Sequence, residues 1–139
     1  MKEYCVDLDI AKELEKYDFP MSENVWCFTY TSKAKGRKWF FTFYDEDDKV
    51  NPQIPAPCSD ELLQQLPIVI YDNYNNDYSL RINQTYDNGE KNVIYWAYES
   101  LNNFDDSEIL LANKIFNDKK LSNALAKCWL YLKKEDYIK

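Results

Sequence analysis

Apolar positions recur along the chain with two different periods, and the switches between them mark out its elements. After Asp7, an N-cap residue, Ile10, Leu14 and Tyr17 fall at i, i+4 and i+7 and predict one face of a helix that Phe19-Pro20 ends. From Val25 to Thr31 and from Lys38 to Tyr44 the residues are aromatic or β-branched. The turn between them, Ser32-Lys33-Ala34-Lys35-Gly36-Arg37, contains a glycine, so the pair predicts a hairpin. The period of two puts Trp26, Phe28 and Tyr30 on one face of the first strand and Trp39, Phe41 and Phe43 on one face of the second.

The acidic, proline-rich stretch Asp45 to Pro57 reads as a loop. Ser59 then caps a short helix through Asp60, Glu61, Leu62, Leu63 and Leu66, stopped by Pro67, with its acids in the first turn where the helix dipole favours them. Ile68 to Tyr71, Tyr78 to Tyr86 and Lys91 to Glu99 are strand candidates divided by turn clusters at Asn73 to Asp77 and at Asp87-Asn88-Gly89-Glu90, which together predict a meander. Asp105, Asp106 and Ser107 are capping residues ahead of Leu110, Leu111 and Ala112, and the spacing predicts a helix from about Asp106 to Phe116. The last element is the clearest. Leu121, Ala124, Leu125, Cys128, Trp129 and Leu132 form one apolar stripe, with Lys133 and Lys134 at the C-terminal end where cations are favoured. The order helix, hairpin, short helix, meander, helix predicts a single α+β domain over residues 1–139, an antiparallel sheet of about five strands packed against N- and C-terminal helices.

Composition narrows what such a domain does. Tyr, Phe and Trp make 17% of the chain, too many for disorder despite 29% charged residues. The formal net charge of -7 opposes nucleic acid and anionic membranes, both of which need a basic footprint. Residues 1–7 have acids where a signal peptide carries an apolar stretch, and no apolar run approaches the length of a spanning helix, so the expected location is the cytoplasm. Cys5, Cys27, Cys58 and Cys128 contain no close pair, and without histidine they complete no zinc site. In that compartment all four are expected as reduced thiols, and the Asn83-Gln84-Thr85 sequon carries no glycan.

Candidate chemistry is thin. There is no histidine to serve as a base, Ser22, Ser59, Ser79, Ser107 and Ser122 lack a Gly-x-Ser-x-Gly elbow, and two glycines make no phosphate loop. Asp45-Glu46-Asp47-Asp48 lacks the alternating ligands and central glycine of a calcium loop. Lys35-Gly36-Arg37-Lys38-Trp39-Phe40-Phe41 is out of register with the aromatic RNA-stacking strand of an RRM, since Arg37 stands where an aromatic is required. No catalytic residue, cofactor or metal is expected.

Three stretches resemble a family of uncharacterised small proteins of bacteriophages and prophages, common in gut bacteria. They are Cys5-Val6-Asp7-Leu8-Asp9-Ile10-Ala11-Lys12-Glu13-Leu14, then Ala56-Pro57-Cys58-Ser59-Asp60-Glu61-Leu62-Leu63, and Ala124-Leu125-Ala126-Lys127-Cys128-Trp129-Leu130-Tyr131-Leu132. Cys58, Cys128 and Tyr131 depart from the family pattern. The resemblance implies a phage-related origin, a bacterial host cytoplasm and an α+β scaffold, but no activity. The expected function is therefore a non-enzymatic accessory module that binds or inhibits a host or phage macromolecule. One variant places the carboxylates of Asp45 to Asp48 in the basic groove of a nucleic-acid enzyme as a DNA mimic. The alternative is a small-ligand or nucleotide-binding domain with Trp39 or Trp96 lining a cleft. A metal-dependent hydrolase or nuclease requires carboxylates clustered from different segments.

Overall fold

The computed structural model describes residues 1–21, 26–31, 38–85, 88–101 and 105–139, without the side chains of 98–101 and 105–108. The elements are α1 (Leu8–Lys16), β1 (Trp26–Thr31), β2 (Lys38–Phe43), β3 (Gln53–Pro55), α2 (Ser59–Gln65), β4 (Val69–Tyr71), β5 (Asp77–Gln84), β6 (Lys91–Leu101), β7 (Asp105–Leu110), β8 (Phe116–Asp118) and α3 (Leu121–Lys134). The class is α+β with antiparallel pairing throughout. The five expected strands divide between two sheets, one ordered β2-β1-β3 and one ordered β4-β5-β6-β7 with β8 also on β6.

The aromatic hairpin has the expected faces. Its register pairs Trp26 with Phe43, Phe28 with Phe41 and Tyr30 with Trp39, so six rings form a ladder. Trp26 stacks on Phe43 at 3.9 Å between centroids, and Phe28 meets Phe41 edge-on at 5.5 Å. Val25 and the turn at 32–37 lie outside the described residues. The stretch read as a loop, Asp45 to Pro57, contributes β3, because three extended residues ending in Pro55 pair with Cys27, Phe28 and Thr29 of β1. Pro55 suits only a sheet edge, which is where β3 lies.

The helix expected from about Asp106 to Phe116 is not formed. Residues 105–110 are strand β7 on the far half of β6, a 3₁₀ turn follows at 111–113, and β8 returns to the near half of β6. Ala112 and Asn113 take left-handed φ values of 52° and 54°, which a continuing helix does not permit. The 11-residue β6 supplies a ladder long enough for both strands, and that pairing overrides the local capping pattern.

The thiol expectation also needs correction. Val6 N–H donates to the Pro57 carbonyl at 3.1 Å, and Cys5 faces Cys58 across an isolated antiparallel bridge where the two sulfurs are bonded. Residues 53 positions apart are juxtaposed by this pairing, which linear spacing does not reveal. Cys27 and Cys128 remain free and buried. The short helix α2 has Cys58 rather than Ser59 as its N-cap, and Glu61 Oε2 accepts the Cys58 N–H at 2.8 Å.

α3 is the hub of the core and touches α1, α2, β6 and β8. It is buried on more than the expected stripe, because Ala126 and Leu130 are enclosed along with Leu125, Cys128, Trp129 and Leu132. One continuous cluster joins these to Leu14 of α1, Phe28 and Ile54 of the three-stranded sheet, Leu62 of α2, and Ile70, Tyr78, Val93 and Tyr95 of the five-stranded sheet. Among the described residues, no helix is long and apolar enough to cross a membrane.

Candidate functional site

The densest polar cluster joins the start of α1 to the start of α3. Asp7 is the N-cap of α1, yet its carboxylate turns away from its own helix. It accepts from Lys120 Nζ at 2.6 Å and from Asn123 Nδ2 at 2.9 Å, while the Asp7 N–H donates to Asn123 Oδ1 at 3.0 Å. Asp118 accepts the Lys120 N–H at 2.9 Å and the Lys127 ammonium at 2.9 Å. The hydrogen bond from Lys120 holds the Asp7 carboxyl below the ordinary aspartate range, with Asn123 adding to it against the opposing effect of burial. Burial alone pushes Asp118 up, but the Lys120 N–H and the Lys127 ammonium outweigh it and the result is also lowered. Each acid here is ionised and held by a cation and an amide. That arrangement is a clamp between elements, unlike a catalytic pair, in which one carboxyl must hold a proton.

The residues singled out from sequence are not brought together. Asp45 and Asp48 spend carboxylate oxygens on their own turn, Asp45 accepting the Asp47 N–H and Asp48 accepting the Val50 and Asn51 N–H groups, each at 3.0 Å. Asp45, Glu46 and Asp47 remain exposed on that turn. Trp39 lies against α1 with Lys12 Nζ 5.4 Å from its ring centre, whereas Trp96 is on the second sheet with Arg81 5.3 Å from its ring. Ser22, Lys35, Gly36 and Arg37 lie outside the described residues, as do the side chain of Ser107 and residue Asp87. Ser79 is exposed on β5, Ser59 reaches the Tyr4 carbonyl at 3.4 Å, and the hydroxyl of Ser122 is buried. Among the described residues, no three acidic or cysteine side chains converge as metal ligands.

The two interior groups with displaced titration are inert for the same reason. Burial pushes the Cys128 thiol up to about 12, so no thiolate forms at neutral pH. Burial also raises Tyr95, whose hydroxyl donates to the Pro67 carbonyl at 2.5 Å. That bond ties β6 to the segment leading into β4.

The most distinctive surface begins at that point. β4 is an edge strand, and around it Ile68 is 79% exposed, Tyr71 64% and Tyr74 87%, with Val69 also open. The turn carrying Tyr74 is held by one carboxylate. Asp72 accepts from the N–H groups of Tyr74 at 2.8 Å and Asn76 at 3.0 Å, from Asn76 Nδ2 at 2.9 Å and from the Tyr78 hydroxyl at 3.2 Å. Its carbonyl takes the Asn75 N–H, and Asn75 adopts the left-handed φ of 62° that asparagine tolerates. The hydrogen bond from Asn76 is the first of several that keep the Asp72 carboxyl ionised. A tyrosine that is nearly all in solvent thus sits on a fixed turn beside an apolar edge. Sequence reasoning treated Asn73 to Asp77 only as a strand divider. The signal it held was an aspartate followed by Asn-Tyr-Asn-Asn, a turn with its own cap and an aromatic at its tip.

No protein-family model, curated protein or solved structure matches the chain.

Proposed function

We propose that this protein is a phage-related accessory module without catalytic activity, which acts in a bacterial cytoplasm by binding another protein through the exposed end of the β4–β5 hairpin. The observation that carries this reading is the pairing of a rigid turn with an exposed aromatic, Tyr74 on the Asp72-centred turn. Tyrosine supplies a large contact area at low entropic cost when its backbone is already fixed, which is why it recurs at binding hot spots. Ile68, Val69 and Tyr71 extend the same surface. The clamp of Asp7, Asp118, Lys120 and Asn123 supports a non-catalytic reading, since its carboxylates are committed to holding elements together.

The test is a pair of variants of the tagged protein expressed in its bacterial host. Tyr71→Ala/Tyr74→Ala is expected to lose a co-purifying protein that Tyr44→Ala, an exposed aromatic on another part of the surface, retains. Equal retention by both variants, each with the wild-type far-UV spectrum, would refute the assignment of the surface.

A further inference from the structure

Sheets with open edges are templates for pairing, and folded proteins usually guard them with charge, proline or a bulge. Among the described strands, other edges carry such a residue. β2 opens with Lys38, β3 closes with Pro55, and β7 carries Asp105, Asp106 and Glu108 within six residues. β4 carries Val69, Ile70 and Tyr71 and has neither charge nor proline, although Pro67 bounds the segment before it.

The backbone of β4 is also turned in the required direction. Leu80 N–H donates to the Ile68 carbonyl at 2.9 Å and Asp72 N–H donates to the Asn76 carbonyl at 3.0 Å, so Ile68, Ile70 and Asp72 point their main-chain groups toward β5. In an antiparallel ladder this direction alternates residue by residue, so the N–H and C=O of Val69 and of Tyr71 point away from the sheet. No described strand pairs with that side. Two donors and two acceptors are thus available in the spacing of a further strand. An exposed acid, Asp77, pairs across from Tyr71 on β5, and the chain carries a net charge of -7. The same net charge on a second copy opposes self-pairing along this edge.

We infer that β4 takes up an extended segment of a basic partner protein as an added strand, through the outward main-chain groups of Val69 and Tyr71. This rests on the proposed binding surface and names its mode and the character of its partner. Main-chain bonds supply the attachment in such pairing, and alternate side chains of the incoming segment supply selectivity. The Val69 and Tyr71 side chains, on one face of β4, provide the contact for apolar residues spaced two apart.

The probe is a hexapeptide of alternating lysine and valine, compared with its glutamate-valine counterpart and with a backbone N-methylated form of the basic peptide. Amide exchange of the free and peptide-bound full-length protein is followed by NMR. The basic peptide should slow exchange at Val69 and Tyr71 and not at Ile70, whose main chain already faces β5. The N-methylated peptide should bind at least about tenfold more weakly, the equivalent of one or more lost backbone hydrogen bonds, whereas the acidic peptide keeps those bonds and should bind more weakly through repulsion by the acidic chain. Val69→Pro removes an outward N–H at a position where an edge strand tolerates proline, and should weaken the basic peptide similarly while keeping the wild-type unfolding midpoint. Should that variant fail to fold, the N-methylated peptide decides alone. Protection elsewhere than β4, equal binding of the acidic or N-methylated peptide, or a dimer of the peptide-free protein abolished by Val69→Pro would each overturn strand addition. Loss of the co-purifying protein from Tyr71→Ala/Tyr74→Ala alongside such a result would leave the binding surface standing and remove only the mode.

Discussion

Replacing Trp129 with alanine is the sharpest test of the packing around α3. The indole is 3% exposed and meets Phe19 edge-on at 4.9 Å, with Lys133 Nζ 6.0 Å from its ring centre. Emptying such a site costs about 3 to 5 kcal/mol, from lost transfer energy and the cavity that remains. The edge-on pair with Phe19 accounts for about 1 kcal/mol beyond area. A domain of this size has roughly 5 to 15 kcal/mol to lose, so the variant should retain a folded baseline only at low denaturant. The assay is urea unfolding followed by far-UV circular dichroism, which avoids dependence on the removed fluorophore. Phe19→Leu in both backgrounds completes a cycle, with a coupling of about 1 kcal/mol expected between two residues in contact. A Trp129→Ala protein unfolding at the wild-type midpoint would refute the reasoning, because a stripe that faces solvent rather than the core is the remaining way to explain it.

Asn123→Ala should cost about 2 kcal/mol, because it removes two hydrogen bonds to Asp7 from a buried amide, with the charged one discounted for the partial exposure of Asp7; chemical denaturation measures it. Asp7 and Asp118 both have lowered carboxyl titrations, so the folded protein binds fewer protons than the unfolded chain near the ordinary aspartate value of 3.8. Their stabilisation is therefore complete above that pH and fades as pH falls through the depressed values, and an acid titration of Asp7→Asn should show a shallower loss than wild type. Thiol titration in denaturant without reductant should find two free thiols, Cys27 and Cys128, and four after reduction. Four without reduction would mean that Cys5 and Cys58 are not bonded. Reduction should lower stability by about 4 kcal/mol if closure of the 53-residue separation acts mainly on the unfolded chain.

The elements legible in the sequence are those with an internal periodicity. α1 and α3 show helical spacing, and the period of two places the hairpin rings on their faces, while the register that pairs them across the strands comes from the structure. The remainder was set by partners far away in sequence. Residues 105–110 carry helix-capping side chains at one end and are strand because β6 extends far enough to pair with them. Gln53 to Pro55 reads as loop in isolation and becomes a strand where β1 presents a free side. Cys5 and Cys58 look unrelated until Val6 bonds to Pro57. The candidate site was half visible. Ile68 to Tyr71 is recognisable as a strand, but its edge position depends on which strands pair, and the rigidity of Tyr74 depends on where the Asp72 oxygens point. Gly89, at φ 70° in the β5–β6 turn, is a case where residue type alone sufficed.

The central claim is that the end of the β4–β5 hairpin is a contact surface, and site-specific photo-crosslinking tests it most directly. A photoreactive phenylalanine analogue replaces Tyr74 in one sample and Val50, which is 88% exposed between β2 and β3, in another, and both are irradiated in intact bacterial cells that express the protein. The account predicts a discrete adduct of one protein at position 74 and none at position 50. Adducts at position 50 alone, or none at position 74 while the protein co-purifies with a partner, would contradict it.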